Sequence, residues 1–209
     1  MKDIGRVNRW FGGVATTQKM VERVAQATGT KRLSLLEVAA GSGEVPAIVR
    51  RRVERHGVHL EVTLLDRAQS HLPSLTSGVV GDALALPFTD RAFDMVSCVL
   101  FAHHLSPPQL GLFMREGLRV SRRALLINDL VRHPTHLALA FAGFPLMRSR
   151  VAWRDGLTSV RRAYVEEEIR SLIADSFALG QQPQIEISRN YLYRMGVIVW
   201  KKEAEHRSA

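Results

Sequence analysis

The segment 36–44, Leu-Glu-Val-Ala-Ala-Gly-Ser-Gly-Glu, constrains the fold of this chain more than any other. An apolar strand ends there beside an acid, Glu37, and runs directly into a turn of small residues that contains Gly41 and Gly43. Glycine relaxes the steric limits on such a turn, and the helix behind it presents unpaired N–H groups to an anionic ligand. Because Gly-x-Gly turns are common, the segment marks a ligand site only if further residues follow at suitable spacings.

Apolar strand-like runs alternate with helical patterns along the rest of the chain, which is typical of a parallel sheet covered on both faces. We predict an α/β fold: a three-layer, Rossmann-like, seven-stranded, mostly parallel sheet with an antiparallel last strand. The predicted strands are 33–38, 61–66, 78–80, 93–101 and 124–129, followed by an edge hairpin of 184–188 and 191–200. The predicted helices follow the first turn, begin at Pro107 and Pro108, and cover 164–175.

The length of 209 residues fits a single domain, 1–209. Hydrophobic residues make up 46% and charged residues 23%, so disorder is not indicated. Residues at about 130–162 read as an irregular, substrate-side insertion over the sheet, with a turn at 153–156, Trp-Arg-Asp-Gly. The domain therefore has one region of less regular pattern.

A cytoplasmic location is predicted from three features. The single cysteine, Cys98, has no internal disulfide partner and lies among apolar residues typical of a buried strand. Residues 1–14 lack the apolar core of a signal peptide. The longest apolar tract, 137–147, falls short of the roughly 20 residues of a membrane span, so we interpret it as a cover or core helix.

The net charge of +9 raises the possibility of a nucleic-acid partner. The arginines, however, form short groups on separate elements, at 50–52, 122–123 and 161–162, without interleaved aromatic residues that would stack bases. This distribution is typical of solvated helix faces and argues against nucleic acid.

Polar residues follow the predicted strands at the sheet edge where ligands bind in open parallel sheets. Asp66 ends the second strand at close to the spacing of about 20 residues at which an acid meets ribose hydroxyls. Asp82 follows the third strand and is suited to accept from an exocyclic amine. His103 and His104 follow the fourth, and imidazole transfers protons near neutral pH.

Together these motifs resemble the class I S-adenosylmethionine-dependent methyltransferases, and more narrowly their small-molecule branch, which includes quinone-biosynthesis and methyltransferase type 11 domains. The resemblance covers residues 33–130 most strongly. The motifs are Leu-Leu-Glu-Val-Ala-Ala-Gly-Ser-Gly-Glu at 35–44, Leu-Leu-Asp-Arg at 64–67, Gly-Asp-Ala-x-x-Leu-Pro-Phe at 81–88, and Phe-Asp-Met-Val at 93–96 with a trailing His-His-Leu.

The resemblance implies S-adenosylmethionine as cofactor, S-adenosylhomocysteine as product and no metal. The implied binding residues are Glu37, Ala39, Gly41 and Gly43 at the methionine end, Asp66 at both ribose hydroxyls, Arg67 beside adenine, Asp82 and the Ala83 backbone at the adenine edge, and Leu100 near the reactive methyl group. Ala39 departs from the family pattern, which usually has glycine there. The geometry of the turn is in question at that position.

A dehydrogenase that binds NAD or FAD is the competing interpretation of the same turn. It requires Gly-x-Gly-x-x-Gly, but position 46 is Pro46, not a third glycine. Together with Glu37 and the Gly-Asp-Ala motif, this favours the sulfonium cofactor.

The candidate catalytic residues are His104, His103 and Asp129, any of which is suited to act as a base at the strand ends. Equally, a histidine there caps a helix or bonds within the core, and a base is optional when proximity carries the rate. Apolar residues of the insertion fit a pocket roof, or simply pack on the sheet, and arginines fit a phenolate or carboxylate. The first set is Leu137, Leu139, Phe141, Phe144, Pro145, Leu146 and Met147, and the second is Arg148, Arg150, Arg154 and Arg161.

The acceptor is predicted to be a small, aromatic or polyketide-like molecule, with O-methylation ahead of C-methylation. The fourth strand is not followed by an Asn-Pro-Pro-Tyr or Asp-Pro-Pro-Tyr motif, which would hold a planar amide or base amine, and this argues against methylation of adenine N6 or glutamine. Trp10 and Phe11 fall where the family often folds a helix over the cofactor. A catalytically silent binding or partner protein, and an RNA methyltransferase suggested by charge alone, stay open as alternatives. The sequence does not fix the oligomeric state.

Overall fold

A computed structural model describes residues 12–73, 78–142, 150–178, 180–191 and 193–202. The helices and strands in these ranges, in chain order, are α1 (Gly13–Thr28), β1 (Arg32–Val38), α2 (Glu44–Arg55), β2 (His59–Asp66), β3 (Gly78–Val80), β4 (Phe93–Val99), α3 (Pro107–Val120), β5 (Ser121–Leu130), α4 (Pro134–Ala142), α5 (Arg150–Arg162), α6 (Glu166–Ser176), β6 (Gln184–Tyr191) and β7 (Arg194–Trp200). Short 3-10 helices cover Gln69–His71 and Ala102–His104.

The seven strands form one sheet in the order β3-β2-β1-β4-β5-β7-β6. The first five strands pair in parallel, whereas β7 lies antiparallel between β5 and β6. The predicted fold class is confirmed, including the closing hairpin. Because β1 and β4 occupy the centre of the sheet and point the same way, their carboxyl ends meet at one edge.

An apolar core lies on each face of the sheet, between the sheet and the helices, so the fold has three layers. One face packs α1 and α2 through Val21, Val24 and Val49, which are fully buried. The other face packs α3 and α6 through Phe113 and Ile173, also fully buried. The central strands are thus covered on both sides, which explains their nearly continuous apolar runs.

Residues 134–142 and 150–162 of the segment predicted to be irregular are helical, so that prediction was wrong for these residues. Pro134 stands at the first position of α4, where its fixed φ suits a helix start and its missing N–H costs nothing. The predicted turn at 153–156 lies inside α5, whose side chains Leu157 and Val160 are buried one helical turn apart. Gly156 suggested a turn, but the helical spacing of the apolar residues outweighs one glycine.

The fourth strand ends at Val99, two residues earlier than predicted. Leu100 has φ of 54°, a left-handed conformation that stops the strand, and its N–H donates to the Asn128 carbonyl at 2.9 Å. The chain then turns into the 3-10 helix of Ala102–His104, which places both histidines at the sheet edge.

Candidate active site at the strand ends

The turn after β1 has three residues in the left-handed region. The φ angles are 53° at Ala39, 53° at Gly41 and 66° at Gly43. A Cβ atom at Gly43 would lie 2.5 Å from Leu64 Cδ1, so both backbone and packing require glycine there. A Cβ at Gly41 would meet nothing within 4 Å. The turn is therefore tight on its sheet side and open on its outer side, where a ligand has room to approach.

Asp66 connects the ends of β1 and β2. Its Oδ2 accepts a hydrogen bond from the Gly41 N–H at 2.9 Å, and its Oδ1 accepts from the Ala68 N–H at 3.0 Å. His71 Nδ1 lies 3.1 Å from Oδ1, and the His71 side chain is largely exposed. The carboxylate thus braces the glycine turn at the place predicted for the ribose.

Ala39 occupies the position at which the family usually has glycine, and its backbone adopts a left-handed conformation that favours glycine. Leu100, at the end of the neighbouring strand, does the same. Each non-glycine residue in this region costs about 1–2 kcal/mol. Backbone strain of this kind is characteristic of functional sites.

Replacing Ala39 with glycine is expected to raise the free energy of unfolding by about 0.5–1 kcal/mol, since relief of the left-handed strain exceeds the added chain entropy. Urea denaturation measures this change. The matched control is Ala40→Gly, because Ala40 is not among the residues with positive φ and should lose stability. Equal losses in both variants would contradict the strain at Ala39.

Glu37 is a buried acid beneath the turn. It is 2% exposed, and its Oε2 has no hydrogen-bond partner within the described ranges. Burial raises the pKa of Glu37 from its ordinary 4.5 to about 7; the nearby Ser97 hydroxyl opposes the shift, although no hydrogen bond of normal geometry joins the two. A buried carboxyl with a free oxygen is poised to receive a cation.

Asp82 and Ala83 follow β3 beside the same edge. The Gly81 N–H donates to the Asp66 carbonyl at 3.1 Å, which holds the third strand end against the second. Asp82 is exposed, and its Oδ1 accepts from the Leu84 N–H at 2.9 Å, whereas Ala83 is buried. Arg67 is exposed. The structure therefore brings the predicted ribose and adenine residues next to each other.

His103 and Asp129 form a buried pair. His103 Nδ1 lies 2.7 Å from Asp129 Oδ1, and the His103 backbone N–H donates to Oδ2 at 3.0 Å. These two residues are 4% exposed, and His103 Nε2 has no hydrogen-bond partner among the described residues. A carboxylate on Nδ1 selects the tautomer whose Nε2 carries the lone pair.

The His104 ring packs against the His103 ring at a tilt of 37°, with ring centroids 4.2 Å apart, and His104 is itself exposed. Partial desolvation lowers the pKa of His104 below its ordinary 6.5, and the neighbouring His103 lowers it further. The His104 imidazole is therefore neutral at pH 7 and reachable from solvent. All three predicted catalytic residues lie in one cluster.

Arg194 is a buried residue beside the candidate site that the sequence interpretation missed. It is 1% exposed at the start of β7, and its Nη1 donates to Asn128 Oδ1 at 2.9 Å. Asn128 Nδ2 donates in turn to the Gly13 carbonyl and Thr17 Oγ1, each at 2.7 Å. Burial lowers the pKa of Arg194 to about 10, and the nearby Asp129 opposes that shift. This network ties α1 to the strand ends.

The residues predicted to roof an acceptor pocket lie in part outside the described ranges. Phe144, Pro145, Leu146, Met147 and Arg148 fall there, as do Trp10 and Phe11. Leu137 is half-buried, but Leu139 and Phe141 are 59% and 44% exposed. Arg154 and Arg161 are also exposed.

The described residues contain neither a cluster of metal ligands nor a membrane-spanning helix. No group of three or more His, Cys, Asp or Glu side chains there is arranged to hold a metal ion. No helix in the same ranges is long and apolar enough to cross a membrane.

The chain is similar to known methyltransferases in sequence and in fold. Residues 36–124 match the family model for a type 11 methyltransferase domain. Demethylmenaquinone methyltransferase of Thermotoga maritima is 32% identical over 114 residues, which are 52% of this chain and 44% of that protein. The ubiquinone/menaquinone biosynthesis C-methyltransferase UbiE of Bradyrhizobium diazoefficiens is 29% identical over 115 residues, 49% of this chain and 44% of that protein. Each match therefore spans less than half of the relative's length.

Among solved structures, the plantazolicin methyltransferase BpumL, in complex with a monoazolic desmethylPZN analog and SAH, has a TM-score of 0.68. It is 11% identical, and the match covers 96% of this chain and 90% of that one. The likeness extends over nearly the whole length of both chains and concerns their fold.

The sheet order, the glycine turn after β1 and the acids after β2 and β3 define the class I methyltransferase fold. Within that class, residues 36–124 are similar to a type 11 methyltransferase domain, and the sequence relatives are quinone-biosynthesis methyltransferases. The resemblance inferred from the motifs is thereby confirmed.

Proposed function

We propose that the protein binds S-adenosylmethionine and transfers its methyl group to a small, aromatic or polyketide-like acceptor, releasing S-adenosylhomocysteine. The observation that carries this proposal is the braced turn, in which the Asp66 carboxylate holds the Gly41 N–H at 2.9 Å. It links the two strand ends that face the cofactor in this class. We also propose that residues 1–209 act as one domain, with 130–162 on the acceptor side.

The residues around the turn fit each part of the cofactor. The open outer side of Gly41 leaves room for the methionine portion, and the unpaired Glu37 Oε2 suits its ammonium group. Asp66 has about four lone-pair sites, of which two backbone amides take two. The ribose hydroxyls take the others and displace the exposed His71. The exposed Asp82 carboxylate accepts from the adenine amine, beside Arg67 and the Ala83 backbone.

S-adenosylmethionine supplies an electrophilic methyl group, so the protein's main task is to hold a nucleophile in line with it. Well-oriented partners gain about 7–11 kcal/mol from proximity alone. Leu100, at the carboxyl end of β4, is proposed to line the methionine side and to fix that alignment.

His104 is proposed as the base that removes the acceptor's proton. It is exposed and its pKa is lowered, so the neutral, proton-accepting form dominates at pH 7. The buried His103–Asp129 pair is proposed to position it through the contact between the two imidazole rings. Loss of a phenolic proton leaves negative charge on the oxygen and on the ring carbons ortho and para to it. Methylation at oxygen is then complete, whereas methylation at carbon is followed by loss of the ring hydrogen and return of a proton to the oxygen, so either reaction releases one proton overall.

O-methylation is proposed ahead of C-methylation, as the simpler outcome of a phenolate at the site. The two curated relatives are named as quinone-biosynthesis methyltransferases, one of them a C-methyltransferase. Their names support an aromatic ring as acceptor and make C-methylation the direct competitor.

Calorimetric titration with S-adenosylmethionine and S-adenosylhomocysteine tests the cofactor proposal. We expect a dissociation constant in the micromolar range, which corresponds to a binding free energy of about −8 kcal/mol. The absence of heat with either ligand would refute it. The acceptor proposal is tested with methyl-labelled cofactor and a panel of phenols and quinols, by following label and product. Binding without turnover on any acceptor would favour a catalytically silent binding protein.

Glu37→Gln is expected to change how stability depends on pH. In the wild type the folded carboxyl keeps its proton to about pH 7, whereas the unfolded one loses it near 4.5, so stability falls as pH rises through this window. The variant lacks this fall and gains about 3 kcal/mol relative to wild type between pH 4 and pH 8. Urea denaturation of the cofactor-free protein at both pH values measures the difference, and parallel pH profiles would contradict the raised pKa.

A further inference from the structure

The part of the chain that contains α4 and α5 is rich in arginine, and four of its arginines lie on α5. Residues 131–163 contain six arginines and one acid, Asp155, which accounts for +5 of the chain's net +9. In α5, Arg154, Arg161 and Arg162 are exposed, and none of them forms a salt bridge within the described ranges. On other helices, the exposed Arg23 and Arg170 each pair with a glutamate. The charge on α5 is therefore uncompensated.

Exposed apolar side chains occur in the same place. Four large apolar residues are exposed among the described residues, and two of them, Leu139 at 59% and Phe141 at 44%, lie on α4. From Leu137 to Ala142 this helix has no polar residue, and it packs against α5. A helix that is apolar all round is normally buried, in a core or in lipid. Here one partner helix leaves much of it uncovered.

The cationic and apolar groups meet directly. The Arg161 guanidinium lies 5.7 Å from the centre of the Phe141 ring, and Trp153 packs edge-on against that ring at 5.9 Å. Tryptophan and phenylalanine beside arginine are the side chains that occupy a lipid headgroup boundary, with their rings in the acyl region and the cation at the phosphates.

We propose that the exposed face of α4 and α5, formed by Leu139, Phe141, Trp153, Arg154 and Arg161, docks on the surface of an anionic lipid bilayer. Each arginine near such a surface contributes attraction to the headgroups, and the two apolar side chains insert below them. Docking of this kind is peripheral and reversible, since it involves a single apolar helix of nine residues.

The same face adjoins the candidate active site. Helix α5 contacts the 3-10 helix that carries His104, and Arg162 acts electrostatically on the His104 imidazole. A docked molecule thus holds its proposed base near the membrane. Resting on the proposed methyl transfer, this placement indicates a lipophilic acceptor dissolved in the bilayer, which reaches the site without crossing water.

Co-sedimentation with lipid vesicles tests the docking face. The protein is expected to bind vesicles of phosphatidylcholine with added phosphatidylglycerol, and to bind pure phosphatidylcholine vesicles about tenfold less. The double variant Leu139→Glu/Phe141→Glu is expected to lose about tenfold or more of the binding to anionic vesicles. The matched control Leu112→Glu changes an exposed apolar residue on α3 and should bind as wild type does.

A second variant, Arg154→Gln/Arg161→Gln, keeps the apolar face and is expected to lose the preference for anionic lipid. Calorimetry with S-adenosylmethionine on every variant shows that the fold is intact and separates failure of docking from failure of cofactor binding. Equal vesicle binding by wild type and Leu139→Glu/Phe141→Glu would overturn the proposal. So would binding to RNA that depends on the arginines alone, or self-association through Leu139 and Phe141 without vesicle binding.

Discussion

Asp66→Ala is expected to weaken S-adenosylmethionine binding by more than about a hundredfold, because charge-assisted hydrogen bonds to the ribose contribute about 1.5–3 kcal/mol each. The same substitution frees the Gly41 N–H, which the Asp66 carboxylate holds at 2.9 Å, and so also loosens the turn. Both effects act in the same direction. Calorimetric titration of the variant measures the loss directly.

Asp94→Ala is the matched control for that experiment. Asp94 lies at the amino end of β4, where its carboxylate accepts from the Ser34 N–H at 2.9 Å and from Arg123 at 3.2 Å. It therefore makes comparable bonds at the opposite edge of the sheet. We expect this variant to lose stability and to keep its cofactor affinity. Equal affinity losses in both variants would show that Asp66 acts through the fold and not through the ribose.

His104→Gln is expected to reduce kcat by about 10²–10⁴-fold, the usual contribution of a positioned base. Its affinity for S-adenosylmethionine should not change, since no proposed cofactor contact involves this residue. Single-turnover transfer of labelled methyl to an accepted phenol or quinol is the measurement. A variant within about threefold of wild type would mean that proximity alone carries the reaction.

The pH profile gives an independent test of the same base. Since desolvation lowers the pKa of His104, the wild-type rate should fall on the acid side only below pH 6.5 and be level above it. His103→Gln removes both the ring that packs against His104 and the bond to Asp129. It should therefore lower kcat and shift the pH at which the rate falls on the acid side. If His103 had a purely structural role, the variant would lose stability but its rate would fall at the same acidic pH as that of the wild type.

Most of the fold was predictable because the strands are buried on both faces, which leaves long apolar runs between turns. The helix at 150–162 was not predicted, since Gly156 and the arginines hid the spacing of Leu157 and Val160. Propensity at single residues misled the interpretation where the packing of a whole face decided the structure.

The candidate site was predictable where chemistry follows a strand end in sequence, as at Glu37, Asp66 and Asp82. Two features were not. The pairing of His103 with Asp129 depends on β4 and β5 lying side by side, which no local pattern specifies. Arg194 comes from the antiparallel strand β7, and a single arginine before an apolar run gives no sign that it will be buried.

The position of β7 in the sheet also determines when the sheet can be completed during protein synthesis. The edge of β5 pairs with a strand that leaves the ribosome only after α4, α5, α6 and β6. Until then that edge presents unpaired backbone groups, and Asp129 lacks the nearby Arg194. A nascent chain already has its glycine turn and Asp66 at that stage. Its exposed strand edge makes it a substrate for chaperones and a hazard for aggregation until the final strand inserts.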